Sequence, residues 1–185
     1  RDRVGSDAIC HVKVLGDYAL PGQVVVGSDS HTPHSGALGC FAFGVGTTAL
    51  VNSWATRDVR LRVPASVRIE IKGRKPENVT AKDMMLEVLR HPYVRGGEAI
   101  GKILEYTGEA VQALSIDERA TLTNMAAEVG GFTGIVAPDE TTIEWLVSRR
   151  GMPRYEAEAL ASGLPVVAVD GPGNLRILRG TPEHD

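Results

Sequence analysis

Cysteine is nearly absent from this chain, with only Cys10 and Cys40 among 185 residues. Two thiols build no disulfide framework, and no Cys-x-x-Cys pair is present to start a zinc site. They read as ordinary thiols of a reducing cytoplasm, so the expected location is cytoplasmic. No run of about 18 apolar residues occurs, so no membrane helix is expected, and no signal peptide is visible. Neither sign of charge dominates: 20 Lys and Arg oppose 23 Asp and Glu, a net charge of −3. No nucleic-acid or membrane surface is therefore expected. The chain opens on Arg1 rather than Met, which reads as a processed, excised or partial product.

The residues that are present describe one large globular domain or two small ones. Hydrophobic content is 43%, enough for a core at this length. The 21 glycines favour tight loops and close backbone approaches. Val24-Val25-Val26 reads as a short buried strand before a loop over 28–39. The apolar stretch 40–54 predicts a helix buried on most sides. Alternation predicts strands over 59–63 and 67–71, separated by Pro64; in the second, Val67, Ile69 and Ile71 share one face.

Thr80 with Asp83 makes a helix N-cap, and that helix must stop near His91, before Pro92. Ala99, Ile100, Ile103 and Leu104 are spaced for a helix after Gly96-Gly97. Ser115-Ile116-Asp117-Glu118 is a capping box that predicts a helix over 116–129, ended by Gly130-Gly131. A short strand over 135–137, a helix from Pro138-Asp139 to Arg150, a short helix after Pro153 and a strand over 166–169 complete the pattern. Alternating helices and strands define an α/β domain. Residues 171–185, rich in Gly, Pro and charge, read as a loose tail.

The polar run Gly27-Ser28-Asp29-Ser30-His31-Thr32 follows the first strand, where α/β enzymes place their chemistry. It reads equally as an Asx-type turn unless partners are found. His11 is one candidate partner, since a carboxylate fixes an imidazole's tautomer and makes it a competent acid or base. Glu128 is the second. Asn124 and Glu128 stand at i and i+4 of the capped helix and share a face among apolar neighbours, a costly arrangement unless they meet something. Gly44-x-Gly46-x-x-Ala49 imitates a dinucleotide fingerprint without its strand context. No Walker P-loop and no nucleophile elbow is present.

With these residues in place, the stretch Val25-Val26-Gly27-Ser28-Asp29-Ser30-His31-Thr32-Pro33, followed by Gly36-Ala37-Leu38-Gly39, resembles the signature of the aconitase superfamily. It is most similar to the 3-isopropylmalate dehydratase large subunit and homoaconitase branch. Ile9-Cys10-His11, Val79-Thr80-Ala81-Lys82-Asp83, Thr123-Asn124-Met125-Ala126-Ala127-Glu128-Val129-Gly130 and Val136-Ala137-Pro138-Asp139-Glu140-Thr141-Thr142 carry the same resemblance in order. It implies a three-layer α/β domain over 1–162, incomplete relative to the family, with 163–185 a divergent tail. It implies a hydro-lyase acting on a hydroxy di- or tricarboxylic acid such as 3-isopropylmalate, homocitrate or citrate, with a [4Fe–4S] cluster as Lewis acid. Carried over by motif, Asp29 pairs with His11 and His31 with Glu128 as catalytic groups, while Ser30 and Asn124 line the substrate pocket.

The three cysteines such a cluster takes do not stand at Cys10 and Cys40. The expectation is an inactive portion of the enzyme that binds no cluster alone. Its partners would be a cluster-bearing segment and a small swivelling subunit. Two alternatives stay open. One is a non-enzymatic dicarboxylate- or metal-binding module. The other is a metal-dependent hydrolase using Asp29, His31 and His11.

Overall fold

The computed structural model describes residues 9–163. Helix α1 spans Cys10–Asp17 and strand β1 Val24–Gly27. A 3-10 helix over Thr32–Leu38 leads to β2, Phe41–Gly44, and α2, Thr47–Thr56. Strand β3, Ser66–Glu70, precedes α3, Ala81–Arg90, and the single turn α4, Pro92–Arg95. Strand β4, Ile103–Thr107, is followed by α5, Glu109–Gln112, α6, Ile116–Asn124, and α7, Ala126–Val129. Strand β5, Thr133–Val136, and helices α8, Glu140–Arg150, and α9, Arg154–Ala161, complete the described residues.

Among the described residues every strand pair is parallel, which requires crossover connections rather than hairpins. β1 pairs with β2, the 3-10 helix lying in the crossover; β3, β4 and β5 pair in that order. The Thr133 hydroxyl at the start of β5 donates to the Ala42 carbonyl of β2 at 2.5 Å, so a side chain ties the two sheets where no ladder does. The result is an α/β domain.

Two apolar clusters form the core of the described residues. Leu104 and Tyr106 of β4 and Val136 of β5 pack with Met85 of α3 and Leu122 of α6 in the first. Val67, Ile69 and Ile71 join it from the predicted face of β3. Leu15, Leu38, Cys40 and Ala42 gather around Ile116 and Ala120 of α6 in the second. Helix α6 therefore feeds both clusters. Its Arg119 is fully buried and makes a two-pronged contact with Asp139, 2.7 Å on each side. The same guanidinium donates to the Leu114 and Gln112 carbonyls at 3.1 and 2.9 Å. This charge is satisfied on all sides, which burial of a guanidinium demands.

Both sequence capping boxes form, Thr80 with Asp83 and Ser115 with Glu118, and Asp139 with Thr142 adds a third at α8. Other expectations are corrected. The stretch 40–54 is a strand and a helix. Phe41 and Phe43 alternate with Ala42, turning their rings to Phe132 at 5.9 and 4.9 Å while Ala42 enters the core. Helix α2 buries no residue completely, and its Trp54 is 73% exposed. No strand forms over 59–63, where Val63 is 79% exposed.

The helix expected through 99–104 is replaced by turns and the start of β4, because Gly97 and Gly101 take φ of +81° and +71°, outside helical space. The helix over 116–129 breaks at Met125, whose ψ of 6° separates α6 from α7. The loop over 28–39 is largely the 3-10 helix, buried at Thr32, Pro33 and Ser35 through Leu38. Helix α1 had no sequence signal. The strand expected over 166–169 and the tail lie outside the described residues.

Candidate active site

The loop leaving the C-terminal end of β1 turns on Asp29. Its Oδ1 accepts the His31 backbone N–H at 2.7 Å, and its carbonyl accepts the Thr32 hydroxyl at 2.7 Å. The Asx-type turn is thus real, but it does not use up the carboxylate. The same Oδ1 accepts from His11 Nε2 of α1 at 2.8 Å. The His31 amide foremost, then His11, holds the Asp29 carboxyl below the usual carboxylate range.

His31 ends the turn and stands as N-cap of the 3-10 helix. Its Nε2 meets Glu128 Oε1 of α7 at 3.2 Å, and its Nδ1 meets the Ser30 hydroxyl at 3.3 Å. A carboxylate only accepts, so Nε2 carries the proton. In the neutral ring Nδ1 then accepts from Ser30. The same logic places the proton of His11 on Nε2, facing Asp29. The His11 and His31 rings lie 6.5 Å apart. The side chains of His31 and Glu128 are 37% and 43% exposed, so the pair opens to solvent.

All six residues singled out in the sequence are brought together here. The break at Met125 does not part Asn124 from Glu128: both reach the 28–38 segment, Glu128 to His31 and Asn124 to His34. The Asn124 amide lies 3.3 Å from His34 Nδ1.

His34 is the residue that sequence reasoning missed. A 3-10 helix turns in three residues, which puts i and i+3 on one side. His34 N–H donates to the His31 carbonyl at 3.0 Å, and the His34 ring lies 6.3 Å from that of His11. Read as loop, the segment gave no such period. Burial foremost, then the neighbouring His11, pushes the His34 imidazole down to about 4.

Gly36 explains why the 3-10 helix can sit here at all. A Cβ on it would come 1.8 Å from the Gly134 carbonyl oxygen of β5. The site is therefore seated on the sheet through backbone contact.

The two thiols lie apart in character. Cys10 is exposed at the first turn of α1. Cys40 is buried, its thiol donating to the Leu20 carbonyl at 3.1 Å, and burial pushes it up to about 12. Among the described residues no group of three or more His, Cys, Asp or Glu is arranged to hold a metal ion. No helix among them is long and apolar enough to cross a membrane.

A parallel α/β fold carrying two imidazole–carboxylate pairs at a strand end defines the class of candidate acid–base site. The family follows from comparison. The model of the aconitase family (aconitate hydratase) matches residues 3–169, and the chain belongs to that family. It is 39% identical over 168 residues to the probable 3-isopropylmalate dehydratase large subunit of Methanothermobacter thermautotrophicus, covering 89% of this chain and 39% of that one. The methanogen homoaconitase large subunit of Methanocaldococcus jannaschii is 42% identical over 148 residues, 80% of this chain and 34% of its own. The 3-isopropylmalate dehydratase large subunit of Wolinella succinogenes is 44% identical over 147 residues, 76% and 34% respectively. The chain thus spans between 34% and 39% of the length of these relatives.

Proposed function

We propose that this chain is the acid–base wall of an aconitase-type hydro-lyase that dehydrates and rehydrates a hydroxy di- or tricarboxylic acid of the 3-isopropylmalate, homocitrate or citrate class. The observation that carries the reading is the pair of contacts His11–Asp29 and His31–Glu128, facing each other across 6.5 Å between rings. Dehydration takes one proton from carbon and delivers one to the departing hydroxyl oxygen, leaving an alkene and water. Two imidazoles, each steadied by a carboxylate, match that demand. Ser30 and Asn124 line the substrate.

Family members generally carry a [4Fe–4S] cluster. The donor set of this chain does not fit one. A cluster needs three or four thiolates, whereas the chain has two cysteines, one of them buried, protonated and bonded to a carbonyl. We therefore assign the cluster to a separate cysteine-bearing segment, and the chain alone to an inactive state. The relatives' designation as large subunits supports a small-subunit partner. The domain is taken to run over 1–162, with 163–185 a divergent end; the family match runs a little past that boundary, to residue 169.

The deciding assay mixes the full chain with 3-isopropylmalate, alone and with the remaining large-subunit segment and small subunit, under anaerobic iron and sulfide. Turnover only in the complete mixture is expected. Turnover by the chain alone overturns the assignment. The thiol count also favours a second reading, in which the pocket binds a dicarboxylate without reaction. Calorimetry with citrate, 3-isopropylmalate and Mg²⁺ addresses it, and no heat from any of them, with a monomer in solution, refutes it.

A further inference from the structure

We propose that His34 is a positioning residue: by accepting a hydrogen bond at Nδ1 from the Asn124 side-chain amide, it turns the Asn124 carbonyl oxygen into the pocket as an acceptor for the substrate's hydroxyl proton. The proposal rests on the reading that Asn124 lines that pocket.

An asparagine amide is ambiguous by shape, since its oxygen and nitrogen ends are nearly isosteric and offer opposite chemistry. Something must choose the end that faces the ligand. At 3.3 Å from the Asn124 nitrogen stands His34 Nδ1. A bare ring nitrogen there selects the amide's NH₂, and a protonated one selects its oxygen. Two features keep Nδ1 bare. The ring is half-buried and flanked by His11 and His31, so a charge on it is unfavourable, with Asp117 the opposing influence. The Nε2–H form is also the commoner tautomer of a free neutral imidazole.

With the NH₂ engaged, Asn124 Oδ1 accepts no hydrogen bond among the described residues. It is the free end of the group, on a side chain anchored to His34, whose ring lies 6.3 Å from that of His11. A hydroxy acid offers one neutral donor, its hydroxyl, among carboxylates that only accept. An amide oxygen therefore discriminates the hydroxy acid from its deoxy analogue, whereas an amide NH₂ would favour a carboxylate.

The test uses the full 185-residue chain. Long-range ¹H–¹⁵N spectra report which His34 nitrogen carries hydrogen. Nε2–H with bare Nδ1 is expected from pH 8 to 5, and protonated Nδ1 at neutral pH overturns the proposal. His34→Ala should shift the Asn124 side-chain amide resonances, and His34→Asn should restore them, because an Asn oxygen can occupy the place of Nδ1. Amide resonances indifferent to His34→Ala overturn it.

Calorimetry with 3-isopropylmalate and with isopropylsuccinate, which lacks the hydroxyl, supplies the functional arm. Wild type should prefer the hydroxy acid by about tenfold, the worth of one well-placed hydrogen bond. His34→Ala should abolish the preference and His34→Asn keep it. A preference that survives His34→Ala overturns the proposal. If wild type binds neither acid, the pocket reading fails for this chain, and the ring-nitrogen and amide spectra still decide whether His34 sets Asn124.

Discussion

Gly36→Ala is the sharpest test of how the site is seated. The residue adopts a φ that any amino acid can take, so the substitution carries no conformational penalty. By restricting the unfolded chain it should even add about 0.4–1 kcal/mol. Against that stands a backbone collision. The new methyl would lie 1.8 Å from the Gly134 carbonyl oxygen, where ordinary contact begins at 3.4 Å, a shortfall of about 1.6 Å. Neither side can yield cheaply. Gly134 is held from behind by Thr123 and Tyr106, each 3.0 Å from where its own Cβ would sit, and the Thr133 hydroxyl ties the same strand to β2. Moving backbone inside a packed core costs about 1–3 kcal/mol and sometimes more. An overlap this large takes the upper end, about 3 kcal/mol, and the unfolded-state gain reduces it to a net loss of roughly 2–2.6 kcal/mol. Gly16→Ala is the internal control. It lies in α1 with nothing within 4 Å of the added methyl, and should gain about 0.5–1 kcal/mol. Urea denaturation of both variants at fixed pH measures the difference. If Gly36→Ala is as stable as wild type, the 3-10 helix does not rest on β5 as described, and the placement of His31 and His34 loses its footing.

Four further outcomes can be checked. Arg119→Met leaves Asp139 without its two-pronged partner and should cost about 3–5 kcal/mol, read from the urea midpoint; a shift under 1 kcal/mol would refute the pair's role in joining α6 to α8. Tyr106→Phe removes a buried hydroxyl that has no hydrogen-bond partner among the described residues and should be neutral or stabilising in thermal melts; a marked loss would reveal a partner for that oxygen. A thiol reagent in native buffer should titrate Cys10 quickly and Cys40 only after unfolding; two equally fast thiols would contradict the burial of Cys40. Stability should also depend on pH through two groups. His34 is neutral when folded down to about 4 but protonated when unfolded below about 6.5, so stability falls as pH drops from 6.5 to 4. That slope is at most about 1.4 kcal/mol per pH unit, lessened by partial solvent screening. Asp29 keeps its contribution above pH 3.8 and loses it as pH falls through its lowered value. His34→Asn should flatten the first window and leave the second; a window unchanged by that variant would refute its source.

The parts legible in the sequence are those governed by short-range chemistry. A Ser or Thr three residues before an acid caps a helix in almost any surroundings, and Thr80 and Ser115 both do. Alternation along 67–71 marked a half-buried strand, and β3 turns that face to the core. The polar residues of the candidate site were singled out by their types and order, and the fold brings them into contact. What failed was decided by tertiary contact. Apolar density over 40–54 cannot say whether Phe41 and Phe43 face one neighbour or two, and Phe132, far along the chain, made them a strand. Ile103 and Leu104 fit a helical period equally well until they pair with Ser66 and Val67 of β3. His34 was hidden for the same reason. Only burial against β5 turns a loop into a 3-10 helix and brings the third imidazole round to the first two.

The same contacts explain why the site can be assembled by a chain spanning so little of its relatives. Its six sequence-derived residues come from α1, the β1 loop, α6 and α7, and three of those four elements meet on the 3-10 helix. Thr123 at the end of α6 donates to the His34 carbonyl at 3.1 Å, one residue before Asn124. Leu15 of α1 shares a core cluster with Leu38 at the helix's other end. These fixings are a side-chain-to-backbone hydrogen bond and apolar contacts, not ligand bonds, so the His–carboxylate geometry stands without substrate or cluster. On the proposed reading, the acid–base groups are thereby separable from the groups that would hold the cluster. A chain holding only the first should retain folded, paired imidazoles and show no turnover. Nuclear magnetic resonance of the isolated chain distinguishes this from collapse: dispersed His11 and His31 ring signals that respond to Asp29→Asn and Glu128→Gln respectively are expected, and unresponsive signals would mean that the pairs form only in the larger assembly.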